Sequence, residues 1–83
     1  MKLLYFAAIR SRLGRGEEEL ARPEGVATVA DLLAWQRRRG PDFAEAFKDL
    51  AVVRVAVNEE YADQAHALGE DDEVAFFPPV TGG

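Results

Sequence analysis

The sequence predicts a single α+β domain in which a helix packs on one face of a sheet. Three observations carry this. At 83 residues the chain encloses one small core. Its elements run in the order β-β-α-(α)-β-(β)-β, a hairpin followed by a crossover helix and further strands. The helix start at Thr28 and the strand from Ala51 to Val57 are strongly marked in local chemistry.

Lys2 to Ala8 is short, apolar and partly aromatic, which reads as the first strand rather than as a signal segment. Gly14 and Gly16 bracket Arg15 as a turn, and Glu17 to Leu20 follows as the second strand of a loosely connected hairpin. Pro23 and Gly25 break the chain. Thr28-Val29-Ala30-Asp31 has the form of a capping box. Val29, Leu32 and Leu33 then share a helical face, with Trp35 packing at its flank. Arg37 to Arg39 sit at the negative end of this helix, and Gly40-Pro41 stops it. A second, shorter helix is expected from Asp42, pairing Phe43 with Phe47 one turn on. Asn58-Glu59-Glu60 turns the chain after the strand 51–57, and Tyr61-Ala62 is a brief return strand. Leu68-Gly69 turns again, with His66 expected in a surface loop. Glu73 to Phe77 is the last strand, stopped by Pro78-Pro79, which cannot donate ladder hydrogen bonds. Glu17–Glu19 and Glu70–Asp72 are expected as solvated edges.

Alternation along strands assigns the two sheet faces. Lys2, Arg54 and Glu73 mark the outward side. Leu3, Tyr5, Ala7, Val53, Val55, Val57, Val74 and Phe76 then face the helix. Leu4, Phe6, Ala8, Val52, Ala56, Ala75 and Phe77 face outward. That outward set is too apolar for a solitary monomer. Either the second helix or a loop covers it, or it is a docking surface. The arrival of the last strand beside the patch favours docking.

Composition excludes much. Ten basic and fifteen acidic residues give a net charge of −5, contrary to what a phosphate-backbone binder needs. No apolar run approaches the length of a membrane span. There is no cysteine, so neither a disulfide framework nor a Cys/His metal site nor a thiol nucleophile can form. The single histidine, His66, and the single serine, Ser11, lie in no nucleophile motif. Lack of cysteine also fits a cytoplasmic protein. An ordinary catalytic side chain is not expected.

The reactive group lies elsewhere. Gly82-Gly83, at a free terminus, is bare backbone thin enough to thread a narrow tunnel, and Pro78-Pro79 stiffens its approach. The segment Asp72-Glu73-Val74-Ala75-Phe76-Phe77-Pro78-Pro79-Val80-Thr81-Gly82-Gly83 resembles the C-terminal signature of the small subunits of molybdopterin synthase, the MoaD-type sulfur carriers. The resemblance extends to Phe6-Ala7, Arg10, Gly14 and Ala56-Val57-Asn58. It implies a ubiquitin-like β-grasp fold, with a mixed sheet of four to five strands, one main helix and a second short one. The expected organisation is a β-grasp domain over residues 1–77 and a C-terminal tail over residues 78–83.

The same resemblance implies the chemistry. An E1-like adenylyltransferase, using ATP and Mg²⁺, would convert the Gly83 carboxylate into an acyl-adenylate. Sulfur from a persulfide donor would replace AMP and leave a thiocarboxylate on Gly83, a more nucleophilic group. The tail would then enter the large synthase subunit and donate sulfur to cyclic pyranopterin monophosphate. The implied assembly is a heterotetramer, with catalytic side chains on the large subunit and no cofactor or metal on this chain. Gly83 carries the sulfur and Gly82 gives clearance, while Pro78, Pro79, Val80 and Thr81 form the inserting arm. Phe6, Phe77, Leu4 and Tyr61 are the docking candidates, with Arg10 as an interface ion-pair candidate. Three alternatives share these features: a ubiquitin-like modifier that forms isopeptide bonds, a thiamine-pathway sulfur carrier, and a passive interaction module with an inert tail.

Overall fold

A computed structural model of the chain describes residues 1–79. Five strands form one mixed sheet: β1 (Lys2–Tyr5), β2 (Glu17–Glu19), β3 (Arg54–Val57), β4 (Glu60–Tyr61) and β5 (Glu73–Phe77). Their spatial order is β2-β1-β5-β3-β4. The central pair β1 and β5 is parallel, with Lys2 opposite Glu73 and Tyr5 opposite Phe76. Every other pairing is antiparallel. Three helices accompany the sheet: α1 (Ala7–Leu13), α2 (Val29–Arg37) and α3 (Pro41–Ala46).

Helix α2 begins as its sequence dictates. Thr28 Oγ1 accepts from the Asp31 amide at 3.3 Å, and Asp31 Oδ2 accepts from the Thr28 amide at 3.1 Å. This reciprocal pair satisfies two otherwise orphaned donors and places a carboxylate at the positive helix end. Val29, Leu32 and Leu33 are buried against the inward sheet residues Leu3, Tyr5, Val53, Val55, Val57, Val74 and Phe76. Tyr5 and Phe76 stack at 5.7 Å, and Phe47 meets Phe76 edge-on at 5.2 Å.

Helix α1 is the main departure from expectation. The first strand ends at Tyr5, not Ala8. The following residues coil into a helix that buries Ile9 and Leu13 and ends at Gly14 in the left-handed conformation, φ 72°. The Leu3–Ile9 apolar run fits a buried strand and a core-facing helix equally well, and no Gly or Pro marks the break at Phe6. Ala7 therefore does not face the core, and Ala8 lies on α1 rather than on the outward sheet face.

Smaller differences have local causes. Helix α3 starts at Pro41, which suits a first helical position because its missing N–H would be unpaired there anyway. Phe47 is the residue just beyond that helix, donating its amide to the Phe43 carbonyl at 3.0 Å. Strand β3 starts at Arg54 because Asp49 Oδ1 accepts from the Ala51 amide at 3.0 Å and winds Leu50–Val52 into a 3-10 turn. Strand β2 ends at Glu19 and β4 covers Glu60–Tyr61. His66 lies exposed in a loop, as expected. Among the described residues, no helix is long and apolar enough to cross a membrane.

Candidate docking face and tail exit

The outward face is half-buried at Leu4, Ala56, Ala75 and Phe77 and exposed at Tyr61. Strand register places Leu4 beside Ala75, Ala75 beside Ala56 and Ala56 beside Tyr61, so one apolar row crosses four strands. Tyr61 is 76% exposed although it is one of the larger side chains in the protein. Phe77 sits next to this row, opposite Arg54, with its ring 5.8 Å from that of Tyr61. The helices pack their buried residues into the core on the other face. Internal cover, the competing explanation of the sequence pattern, is absent among the described residues.

Phe6 is placed by a different element from the one expected. It is the residue preceding α1 rather than part of a strand, and it is 46% exposed. Its amide donates to the Phe76 carbonyl at 3.1 Å, which holds the start of α1 against the end of β5. Leu4, Phe6 and Arg10 border one shallow hollow together with Gly16 and Glu17. The Arg10 guanidinium lies across Gly16, where a Cβ would meet Arg10 Cζ at 3.1 Å. A side chain at position 16 would therefore displace the Arg10 guanidinium by a few tenths of an ångström.

All five docking candidates thus lie on the open face or its rim. Pro78 and Pro79 follow Phe77 directly and are half-buried. Val80, Thr81, Gly82 and Gly83 lie outside the described residues.

Behind the rim is a polar clamp that sequence reading missed. Arg39 donates from both terminal nitrogens to Glu18, at 2.6 and 2.8 Å. The Tyr5 hydroxyl donates to Glu18 Oε1 at 2.6 Å and accepts from Gln36 Nε2 at 2.8 Å. Arg39 also lies 4.1 Å from the Phe43 ring centroid and 4.6 Å from that of Trp35. Paired, stacked and bidentate, this arginine fastens β2 to α2 and α3. Arg39 does not serve the negative end of its own helix, and Glu18 is not a solvated edge residue. Asp72 departs from that expectation too, accepting from the Gly69 amide and from Asn58 Nδ2 at 2.7 and 2.9 Å. Glu18 and Arg39 are 21 positions apart, and local pattern carries no signal of such a pairing.

Hydrogen bonding from Arg39, reinforced by Tyr5, lowers the Glu18 carboxyl to about 2 against the outward pull of burial. Burial above all, and then the Glu18 contact, raises the Tyr5 hydroxyl. Glu18 has a depressed folded-state value, so its stabilising effect is complete above its unfolded value near 4.5. The effect is lost as pH falls from there through about 2. Glu18→Gln is expected to lower stability at neutral pH and to flatten the decline across that window. Urea midpoints measured at several pH values check it.

A family model described as the ThiS family matches residues 3–83. The chain belongs to the ThiS family. Among ThiS-like relatives, the molybdopterin synthase sulfur carrier subunit of Escherichia coli (strain K12) is 37% identical over 83 residues, covering 100% of this chain and 99% of the relative. The solved structure of a putative molybdopterin converting factor, subunit 1, from Pyrococcus furiosus is 38% identical with a TM-score of 0.75, covering 95% of each chain. SAMP1 from Haloferax volcanii is 27% identical with a TM-score of 0.73, covering 100% of this chain and 98% of that one. This ThiS-family chain has the ubiquitin-like β-grasp fold that the resemblance implied, with α1 between the first two strands.

Proposed function

We propose that this protein is the sulfur carrier subunit of a molybdopterin synthase. The observation that carries the reading is full-length likeness to sulfur carrier subunits. An apolar row beside the exit into Phe77-Pro78-Pro79 supports it further. The Gly83 carboxylate is a poor acylating agent because its leaving group would be oxide. An E1-like adenylyltransferase, with ATP and Mg²⁺, joins it to AMP and releases pyrophosphate. The terminal sulfur of a donor persulfide displaces AMP to give an acyl disulfide. A thiol then cleaves that disulfide, taking the donor sulfur into a new disulfide and leaving the thiocarboxylate. The large subunit receives the tail, supplies the catalytic side chains and directs sulfur onto cyclic pyranopterin monophosphate. ATP and Mg²⁺ act on the activating enzyme, so this chain holds neither.

Incubation with the cognate adenylyltransferase, ATP and a persulfide donor is expected to add the mass of one oxygen-to-sulfur exchange at Gly83. An unchanged mass with a competent enzyme overturns the reading. Tyr61→Asp is expected to weaken binding to the large subunit by roughly tenfold or more, the size of effect typical of an aromatic interface anchor. Titration calorimetry measures that loss. Because Tyr61 is exposed, the melting temperature should move little.

Likeness to SAMP1 supports a second reading, a ubiquitin-like modifier whose activated Gly83 joins target lysines. Lysine-linked adducts in cell extract distinguish it from the carrier, which ends as a thiocarboxylate.

A further inference from the structure

The outward face is graded along its strands. Toward the start of β1 and β5, Lys2 lies beside Glu19 on one side and Glu73 on the other, and its ammonium pairs with Glu17 at 3.3 Å. The apolar row Leu4-Ala75-Ala56-Tyr61 comes next. At the far end, where the chain leaves β5, Phe77 stands opposite Arg54. Glu73 and Arg54 are thus separated by about 13 Å along the ladder at ordinary strand rise. Arg54 is exposed, and among the described residues its guanidinium makes no ion pair, side-chain hydrogen bond or ring contact. Asp63 borders the same hollow, but its carboxylate accepts from the Ala65 amide at 3.0 Å instead.

We infer that Arg54 pairs with a carboxylate on the large synthase subunit, and that this pair sets which way round the two proteins dock. An interface of ordinary size covers about 800 Å² on each side, a disc roughly 16 Å in radius. Centred on the apolar row, such a disc takes in Phe77 and, opposite it, Arg54, one register step or about 7 Å from the row. A guanidinium stripped of water with no anion beside it is costly, so a partner closing over Phe77 meets it most favourably with Asp or Glu. The other end of the face carries Glu19 and Glu73, which call for cations. A partner of that polarity docks with its tail-receiving opening at the Phe77-Pro78 end. Turned half-way round, it would set like charges together. On a chain of net charge −5, acidic partner surface is repelled elsewhere and admitted at this end. The inference rests on the carrier reading, which supplies the partner.

The test titrates the cognate large subunit with the unmodified chain and with Arg54→Leu, Arg54→Glu and Arg54→Lys, by calorimetry at low and high salt. Arg54→Leu is expected to weaken binding by about 30-fold or more, as when one member of a buried charge pair is removed, and Arg54→Glu by more still. Arg54→Lys keeps the charge and is expected to retain most of the affinity. Added salt is expected to weaken the unmodified complex more than the Arg54→Leu complex. Equal or tighter binding by Arg54→Leu overturns the inference and leaves the carrier reading standing. Failure of the unmodified chain to bind overturns both. Should Arg54→Leu fail to fold, Arg54→Gln, which keeps a polar side chain without the charge, takes its place with the same expected loss.

Discussion

Deleting Gly82 and Gly83 is expected to reduce sulfur loading below detection while leaving the melting temperature within about 1 °C, since surface changes remote from the core are nearly neutral. The basis is compositional. With no cysteine in the chain, no thiol side chain offers a substitute carrier for the sulfur. Among the described residues, the last member of the core is Phe76. Appending a residue after Gly83 should be nearly as damaging, because it moves the activated carboxylate to a bulkier position. Intact mass after incubation with the activating enzyme reads the chemistry, and circular dichroism reads the fold. Unfolding of the truncated chain would contradict the separation of domain and tail.

The second large effect is expected at Phe76, with the opposite split. Phe76→Ala removes a fully buried ring that stacks on Tyr5 and meets Phe47 edge-on. Such truncations cost about 3–5 kcal/mol, against a total near 4–12 kcal/mol for a domain of this length. A large fraction of the protein should be unfolded at 37 °C. Phe77→Ala, one residue on, points to the open face and should cost under about 1 kcal/mol of stability while weakening partner binding. Urea denaturation and calorimetry on the two variants separate the roles. Adjacent residues of one strand divide fold from function by pleat alone.

Much of this architecture was legible because its determinants are local. Thr28 and Asp31 announce α2, alternation about Lys2, Arg54 and Glu73 sorts the sheet faces, and the Phe-Phe-Pro-Pro run points to the exit of the tail. Helix α1 was illegible for a physical reason. Within an unbroken apolar stretch, periods of 2 and 3.6 coincide over too few residues to be told apart, and Phe6 carries no capping side chain. Phe6 reached the rim of the outward face all the same, by a helix start instead of a strand. The Glu18–Arg39 clamp was illegible for another reason. A bidentate pair between a strand edge and the end of a distant helix exists only once the tertiary fold brings them together. The sequence suggested a solvated edge at Glu18 and a helix-end charge at Arg39, and burial beside Tyr5 and Gln36 made them a fastening.

The parallel pairing of β1 with β5 has a mechanical consequence. Pulling Met1 and the tail apart draws these strands in opposite senses along the ladder that runs from Lys2–Glu73 to Tyr5–Phe76. The evenly spaced bonds of a parallel ladder then resist as a group in shear, whereas an end-loaded hairpin opens one bond at a time. A pull applied beyond Phe77 therefore loads β5 along the direction in which its ladder with β1 resists best.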